Sequence, residues 1–220
     1  MGKTIAVCNQ KGGVGKTVTS QNLSTYLAIE GKKTLLIDID PQSNATSGLG
    51  IDKHSVKSSI YNVLYEQALL ENIILSTQVA NLHIAPSGLN LTGAEVELVN
   101  AMSREYRLKK AIKVVKDRFD YIIIDCPPSL GLLTVNALTA ADSVIIPVQC
   151  EYYALEGLSQ LMNTVNLIRD NLNAKLEVEG VLLTMADYRT NLTKEVIEEV
   201  KKFFGEKVYN AIIPRSIKLT

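Results

Sequence analysis

Cysteine is scarce in this chain, and its three positions, Cys8, Cys126 and Cys150, are odd in number and far apart. The sequence contains no C-x-x-C spacing and no cysteine–histidine pairing, so it does not predict a zinc site. An odd and scattered set also argues against a disulfide framework and favours a reducing compartment. We expect the three thiols to serve as small apolar side chains of the core.

Long hydrophobic runs and a charge imbalance are absent as well. No apolar run approaches the roughly 18 residues of a membrane span, and the first residues lack the pattern of a secretion signal. The 23 Lys and Arg cancel the 23 Asp and Glu, so no overall field favours nucleic acid or a membrane. Residues 1–60 and 189–220 are nonetheless mildly basic, each with seven Lys/Arg against four Asp/Glu. We expect a cytoplasmic protein in which these ends can form an anion-binding face.

Short apolar runs alternate with longer amphipathic stretches along the 220 residues. The runs occupy residues 3–9, 33–40, 82–86, 121–129, 143–149, 177–185 and 208–214. Continuous Val, Ile and Leu are typical of strands covered on both faces, and strand–helix–strand order predicts right-handed parallel crossovers. The predicted fold class is therefore α/β, a doubly wound, mostly parallel sheet flanked by helices.

Two segments fit this pattern less well. Residues 50–80 are poorly periodic and are interpreted as a peripheral helical insertion. The chain ends directly after a predicted strand, where a doubly wound domain normally adds a helix. We therefore expect residues 1–220 to form a single domain that lacks its C-terminal helix.

The stretch VCNQKGGVGKTVTSQN, residues 7–22, joins the first predicted strand to a predicted helix. Gly15, Lys16 and Thr17 fit the end of the phosphate-loop pattern G-x-x-x-x-G-K-[ST], but Gln10 stands where its first glycine belongs. Lys11 adds a second positive charge instead. In such a loop the backbone N–H groups surround phosphate oxygens, Lys16 would bridge the terminal phosphates and the Thr17 hydroxyl would bind Mg²⁺.

Three aspartates are predicted at the carboxyl ends of strands, where ligands bind in this kind of sheet. Asp125 has the position of a carboxylate that holds magnesium directly or through water, and its alternative role is to cap the following helix. Asp38 and Asp40 are two residues apart and so face the same side of their strand. One is expected to support the metal and the other to reach the attacking water, while an alternative for Asp40 is a turn acid before Pro41.

The segments KGGVGKT (11–17), DIDPQSNATSGLG (38–50) and IIIDCPPSLGLLTVNALTAAD (122–142) resemble the ParA/Soj chromosome- and plasmid-partitioning ATPases. These are P-loop NTPases of the deviant Walker A group and relatives of MinD. PVQCEYYALEGL (147–158) and RTNLTKEVIEEVKKFFGEKVY (189–209) extend the resemblance over essentially the whole chain. The resemblance implies a slow ATPase with ATP and Mg²⁺ as cofactors.

It also implies roles for single residues. Lys11 would be the signature lysine, which crosses a homodimer interface and touches phosphate on the partner's nucleotide, and Lys16 would act on its own chain's nucleotide. Asp40 would position or activate the water, and Asp125 would be the Walker B-like acid. The implied nucleotide-binding residues are Lys11, Gly12, Gly13, Val14, Gly15, Lys16, Thr17, Val18, Met185 and Pro214. The implied metal ligands are Thr17, Asp125 and Asp38.

The ATP-bound homodimer of that family binds double-stranded DNA without sequence preference, and a ParB-type centromere-binding protein triggers hydrolysis and release. The implied DNA-binding residues are Arg189, Arg215 and Lys218. The resemblance thus implies a nucleoid-associated protein with no membrane partner. The chain departs from the family at Val18, where a threonine-type residue is common, and at Ser43, where glycine is common.

Three other functions remain as alternatives. A MinD-like membrane-cycling ATPase shares the loop but binds lipid through a C-terminal amphipathic helix. An iron–sulfur electron-transfer ATPase would need two thiols per subunit at a dimer face, for which Cys126 and Cys150 are poorly placed. A small-molecule ligase can also be built on the same loop.

Overall fold

The structure is a computed structural model that describes residues 2–151 and 154–216. Its strands in this part of the chain are β1 (Lys3–Val7), β2 (Thr34–Asp38), β3 (Leu75–Ser76), β4 (Leu82–Ala85), β5 (Tyr121–Asp125), β6 (Ser143–Gln149), β7 (Glu177–Ala186) and β8 (Val208–Pro214). Its α-helices are α1 (Lys16–Ile29), α2 (Asn44–Gly48), α3 (Ile60–Leu64), α4 (Leu70–Ile73), α5 (Ala94–Glu97), α6 (Arg107–Val115), α7 (Leu132–Ala140), α8 (Ala154–Asn171) and α9 (Asn191–Phe204). Short 3₁₀ turns lie at Leu89–Gly93, Leu98–Asn100, Arg104–Tyr106, Lys116–Arg118 and Gly205–Lys207.

The strands form one sheet in the order β3-β4-β2-β5-β1-β6-β7-β8. Neighbouring strands are parallel except at the edge, where β3 runs antiparallel to β4. After β1, the chain first adds β2 and β4 to the sheet on one side of β1. Later it adds β6, β7 and β8 on the other side. The predicted doubly wound, mostly parallel sheet with flanking helices is confirmed. Ligands of such sheets bind beyond the carboxyl ends of the strands near this reversal of order.

Apolar side chains cover both faces of the central strands. Ile5, Val7 and Leu36 belong to a smaller buried cluster on one face, whereas Ala6 and Leu35 belong to the larger cluster on the other. Because successive side chains of a strand point to opposite faces, a strand buried twice needs apolar residues at every position. This explains the continuous runs in the sequence. The three cysteines are also buried, as predicted.

The segment 50–80 contains two short helices, α3 and α4, in an otherwise irregular chain, and the prediction that it is peripheral is wrong. Ile60, Leu64 and Leu70 of its short helices are at most 2% exposed and join the larger core cluster. Its last residues form β3, which the sequence analysis missed, with Leu75 opposite Ile84. Short helices and a two-residue strand carry too few turns or alternations to give a periodic pattern.

The register of the central strands brings their carboxyl ends to one place. Asp125 at the end of β5 lies opposite Val7 of β1 on one side and opposite Asp38 of β2 on the other. Two backbone hydrogen bonds continue the alignment beyond the strands, from Cys126 N–H to the Val7 carbonyl at 3.3 Å and from Ile39 N–H to the Asp125 carbonyl at 3.1 Å. The glycine loop and the three predicted aspartates therefore meet at this edge of the sheet.

Candidate functional site

The loop between β1 and α1 has the backbone shape of an anion-binding loop. Gly13 and Gly15 have φ angles of +73° and +88°, in the left-handed region that glycine adopts without steric cost. Gly15 directly precedes α1, and no side chain of residues 2–151 or 154–216 caps that helix end with a hydrogen bond. Its first N–H groups and the positive end of the helix dipole are therefore available to an anion. The Thr184 hydroxyl on β7 donates to the Val14 carbonyl at 2.9 Å and fastens the loop to the sheet.

Lys16 is the first residue of α1 and is 6% exposed. Its ammonium folds back over the loop and donates to the Lys11 carbonyl at 2.9 Å. Burial lowers the pKa of Lys16, while the negative charge of Asp125 and, more weakly, of Asp40 opposes that shift. The structure thus brings the predicted phosphate lysine and two of the predicted acids together.

The Lys11 ammonium pairs with an acid of its own chain. Its ammonium lies 3.1 Å from a carboxylate oxygen of Glu151, and the two side chains are 35% and 47% exposed. The other carboxylate oxygen of Glu151 accepts a hydrogen bond from Gln149 at 2.6 Å. Beside Lys11, a Cβ added at Gly12 would lie 3.9 Å from Pro128, so the glycine loop and the loop after β5 are neighbours.

Asp125 is fully buried at the centre of the site. Its Oδ1 lies 2.8 Å from the Ser20 hydroxyl of α1, whereas its Oδ2 is buried without a hydrogen-bond partner among the described residues. Burial, followed by the charge of Asp38, raises the pKa of Asp125 to about 7, although the hydroxyls of Ser20 and Thr17 lower it in part. A buried carboxylate oxygen without a partner is costly, and a cation would remove that cost.

These groups fit a magnesium ion. Mg²⁺ takes few protein ligands and completes its shell with water and substrate phosphates. The described residues contain no cluster of three or more His, Cys, Asp or Glu that could hold a metal by themselves. One buried acid beside the hydroxyl of Thr17, next to an anion-binding loop, suits a cation that arrives together with a phosphorylated ligand.

Asp38 and Asp40 have different surroundings. Both carboxylate oxygens of Asp38 are occupied, Oδ1 by the N–H of Asp40 at 3.1 Å and Oδ2 by the N–H and hydroxyl of Thr46 at 2.7 and 2.6 Å. Burial raises the pKa of Asp38 to about 6. The metal role of Asp38 stays a prediction, and its contacts favour holding the loop after β2. Asp40 is 5% exposed, its Oδ1 accepts from Gln42 N–H at 2.9 Å, and burial raises its pKa while Lys16 lowers it.

The remaining predicted nucleotide contacts lie farther along the same edge or on α1. Met185 near the end of β7 has a φ of +52°, an uncommon backbone for a residue with a side chain. Pro214 at the end of β8 lies opposite Ala186. Val18 on α1 is 40% exposed. Their contact with a nucleotide stays a prediction.

Of the predicted DNA-binding residues, two lie close together beyond β7 and β8. Arg189 is exposed and pairs with Asp187 through two hydrogen bonds of 2.8 and 2.6 Å. The N–H of Arg215 donates to the Ala186 carbonyl at 3.0 Å, and its charge also acts on Asp187. Lys218 lies outside the described residues. In the described ranges no helix combines the length and apolar character that crossing a bilayer requires.

Several contacting residues of the site were missed by the sequence analysis. Ser20 follows Lys16 by one helical turn, and that spacing could have identified it. Asn9 anchors the glycine loop, since its side chain accepts from Lys11 N–H at 3.0 Å and donates to the Pro147 carbonyl at 2.7 Å. Glu151 lies 140 positions from Lys11, and no local pattern marks such a pair.

Comparison with known proteins places this site among nucleotide-binding domains. Residues 2–178 match the family described as an AAA domain. The sporulation initiation inhibitor protein Soj of Bacillus subtilis is 63% identical over 220 residues, which cover 100% of this chain and 87% of that protein. The chromosome-partitioning ATPase Soj of Treponema pallidum is 50% identical over 220 residues, which cover 100% of this chain and 86% of that protein. Among solved structures, cobyrinic acid a,c-diamide synthase from Mycobacterium smegmatis, with a bound ATP analogue and magnesium, matches with a TM-score of 0.93 and 38% identity over 98% of this chain and 88% of that chain.

Proposed function

Because the chain belongs to the Soj/ParA family of chromosome-partitioning ATPases, we propose that it is an ATPase for DNA segregation. In this proposal ATP and Mg²⁺ drive a homodimer to form, and the dimer binds double-stranded DNA without sequence preference. A ParB-type centromere-binding protein stimulates hydrolysis, which releases the DNA. The protein accordingly cycles between the cytoplasm and the nucleoid.

One observation carries the ATPase proposal. Within the part of the chain that the structure describes, a buried lysine and two buried acids converge next to the N-terminus of α1, where no side chain caps the helix and one acid has an oxygen without a hydrogen-bond partner. The lysine and the helix end suit the phosphates, and Asp125 suits the cation that accompanies them. The Asp40 carboxylate accepts one backbone hydrogen bond, from Gln42 N–H at 2.9 Å, and it lies near enough to Lys16 for the two charges to interact.

In the proposed mechanism Lys16 and the N–H groups of residues 12–17 bind the β- and γ-phosphates. Thr17 and Asp125 would hold Mg²⁺, Asp125 directly or through water, and the bound ion would supply positive charge next to the phosphates. Asp40 orients the attacking water through its carboxylate. Lys11 of each subunit leaves Glu151 and reaches the nucleotide of the other subunit, where it offsets the repulsion between two bound triphosphates.

The experiment that tests the function measures retention of the protein on nonspecific double-stranded DNA in ATP, in ADP and without nucleotide. We expect retention in ATP alone, falling steeply as salt rises, because phosphate contacts release counterions. Lys16→Ala should abolish nucleotide-dependent dimerisation, whereas Asp40→Ala should accumulate as an ATP-bound dimer in sizing experiments. The proposal would be contradicted if retention on DNA changed neither with the nucleotide nor with the salt concentration.

A second candidate function rests on the synthase among the solved structures, which is 38% identical to this chain. In an amide-forming ligase, ATP would activate a small-molecule carboxylate, and turnover would require that substrate. ATP hydrolysis by the purified protein without any small substrate, stimulated by DNA together with a ParB-type protein, would decide for the partitioning function. Co-sedimentation with anionic vesicles rather than DNA would instead favour a membrane-cycling ATPase.

A further inference from the structure

A closed ring of hydrogen bonds surrounds the backbone of Asp40. The Thr46 hydroxyl donates to Asp38 Oδ2 at 2.6 Å, and the same hydroxyl accepts from Ser87 N–H at 3.0 Å. The Ser87 hydroxyl donates to the Asp40 carbonyl at 2.8 Å. Asp38 Oδ1 closes the ring by accepting from Asp40 N–H at 3.1 Å. The Asp40 N–H is thus bound by a side chain, and the Asp40 carbonyl accepts both from the Ser87 hydroxyl and, within its own turn, from Ser43 N–H at 2.9 Å.

The residues of this ring are buried. Asp38, Thr46 and Ser87 are 0% exposed, and Asp40 is 5% exposed. Hydrogen bonds to a carboxylate in such surroundings are strong. A buried donor or acceptor that loses its partner there cannot form a replacement hydrogen bond with water. Removing the Thr46 hydroxyl would leave the buried Ser87 N–H without its side-chain acceptor. Removing the Ser87 hydroxyl would leave the Asp40 carbonyl with the Ser43 N–H of its own turn alone.

The ring also ties three separate elements together. Asp38 ends β2, Thr46 lies in α2, and Ser87 follows β4, which pairs with β2 from Thr34↔Leu82 to Ile37↔Ala85. The loop that carries Asp40 is therefore fastened at both sides to the rigid sheet. These contacts add to the hydrogen bonds that Asp40 accepts inside the loop from Gln42 N–H and Ser43 N–H.

We infer that Thr46 and Ser87 are positioning residues for hydrolysis, and that they act by holding the backbone of Asp40 so that its carboxylate meets the attacking water. This inference rests on the proposed function, in which Asp40 orients that water. Neither hydroxyl touches the nucleotide in this scheme. Loss of either one should therefore slow the chemical step without weakening the binding of ATP.

The test compares Thr46→Val and Ser87→Ala with the wild type in single-turnover ATP hydrolysis and in equilibrium titration with ATP. We expect the hydrolysis rate constant to fall tenfold or more, since a shift of about 1 Å in a catalytic group can cost a hundredfold. The dissociation constant for ATP should stay within about twofold of the wild-type value, because neither substitution changes the phosphate loop. Thr46→Ser keeps the hydroxyl and should restore hydrolysis to near the wild-type rate.

Thr139→Val is the matched control, because Thr139 is equally buried and its hydroxyl has no hydrogen-bond partner among the described residues. It should hydrolyse ATP like the wild type. If Thr46→Val and Ser87→Ala also hydrolyse like the wild type, the inference is overturned, while a slow Asp40→Ala variant would still leave the proposed function standing. If Asp40→Ala itself turns over normally, the proposed function has failed first. If Thr46→Val does not fold, as judged by its melting curve, Ser87→Ala decides alone, because it removes the bond to Asp40 directly.

Discussion

The ammonium of Lys11 and the carboxylate of Glu151 form an ion pair of 3.1 Å within one chain. The lysine that we propose to serve a neighbouring subunit is therefore held within its own subunit by an acid just beyond the end of β6. The Gln149 side chain donates a hydrogen bond to the other carboxylate oxygen of Glu151 and thereby helps to hold this acid beside Lys11. In the dimer that we propose, this pair would be broken in both subunits.

The first prediction concerns this ion pair. Glu151→Gln should tighten the ATP-dependent dimer, because an exposed pair contributes up to about 1 kcal/mol and two pairs are broken per dimer, so the dissociation constant falls by up to roughly thirtyfold. Sedimentation velocity with a non-hydrolysable ATP analogue measures it, and the gain should shrink as salt rises. In a Lys11→Ala background the substitution should bring no gain, and a gain that survives there would contradict the role of the pair.

The second prediction concerns pH and Asp125. The pKa of Asp125 is raised from 3.8 to about 7 in the folded protein, so between these values the folded state binds a proton that the unfolded state has released. The free energy of unfolding of the protein without magnesium and nucleotide should therefore decrease as pH rises from about 4 to about 7 and then level off. Asp125→Asn removes the buried charge. It should melt at a higher temperature than the wild type at pH 8 in EDTA.

That difference should shrink as pH falls towards about 5, since the wild-type carboxyl is then protonated in the folded state. The surface variant Asp117→Asn is the control, because Asp117 is exposed on the turn after α6. Thermal melts of the three proteins across this pH range provide the measurement. A difference between Asp125→Asn and the wild type that does not change with pH would show that burial of charge is not its cause.

The sequence predicted much of this site because its main parts are local. Gly15, Lys16 and Thr17 are consecutive, and Asp125 ends an apolar run, so spacing and periodicity were enough to place them on a loop, a helix start and a strand end. The ring around Asp40 could not be found in this way. Ser87 lies 47 positions from Asp40, and the two meet because β2 and β4 are neighbours in the sheet. Which strands become neighbours is decided by packing of the whole domain and not by any local pattern.

Ser43 shows how the structure explains a feature that the sequence alone left without a cause. Serine stands there in place of the glycine common in the family, and its φ of +57° and ψ of +32° lie in the left-handed region. A side chain in that region costs roughly 1–2 kcal/mol. The glycine of the family is thus accounted for by backbone conformation.

The third prediction follows from this backbone. Ser43→Gly should raise the free energy of unfolding by about 1 kcal/mol, because relief of the left-handed strain exceeds the added entropy of glycine in the unfolded chain. Urea unfolding measures the change. Ser47→Gly is the matched control, since Ser47 is exposed in α2 without a positive φ, and it should lose roughly 0.5–1 kcal/mol. If both variants lose stability equally, Ser43 is not strained.

The fourth prediction concerns the basic pair beyond β7 and β8. Arg189→Ala with Arg215→Ala should weaken the binding of the ATP-bound dimer to all DNA sequences alike, and should lower the slope of log affinity against log salt by about one for each phosphate that is no longer neutralised. Asp187→Asn should instead strengthen the binding of the ATP-bound dimer to DNA. The hydrogen bond from Arg189 lowers the pKa of the Asp187 carboxyl to about 2, so Asp187 is negatively charged and offsets positive charge that would otherwise attract DNA.

Arg118→Ala is the control for this prediction, because Arg118 is exposed near Glu71 in a different part of the fold. Fluorescence anisotropy with a nonspecific duplex at several salt concentrations measures all three variants. An unchanged slope for the double variant, or an equal loss of affinity for Arg118→Ala, would place the DNA surface elsewhere.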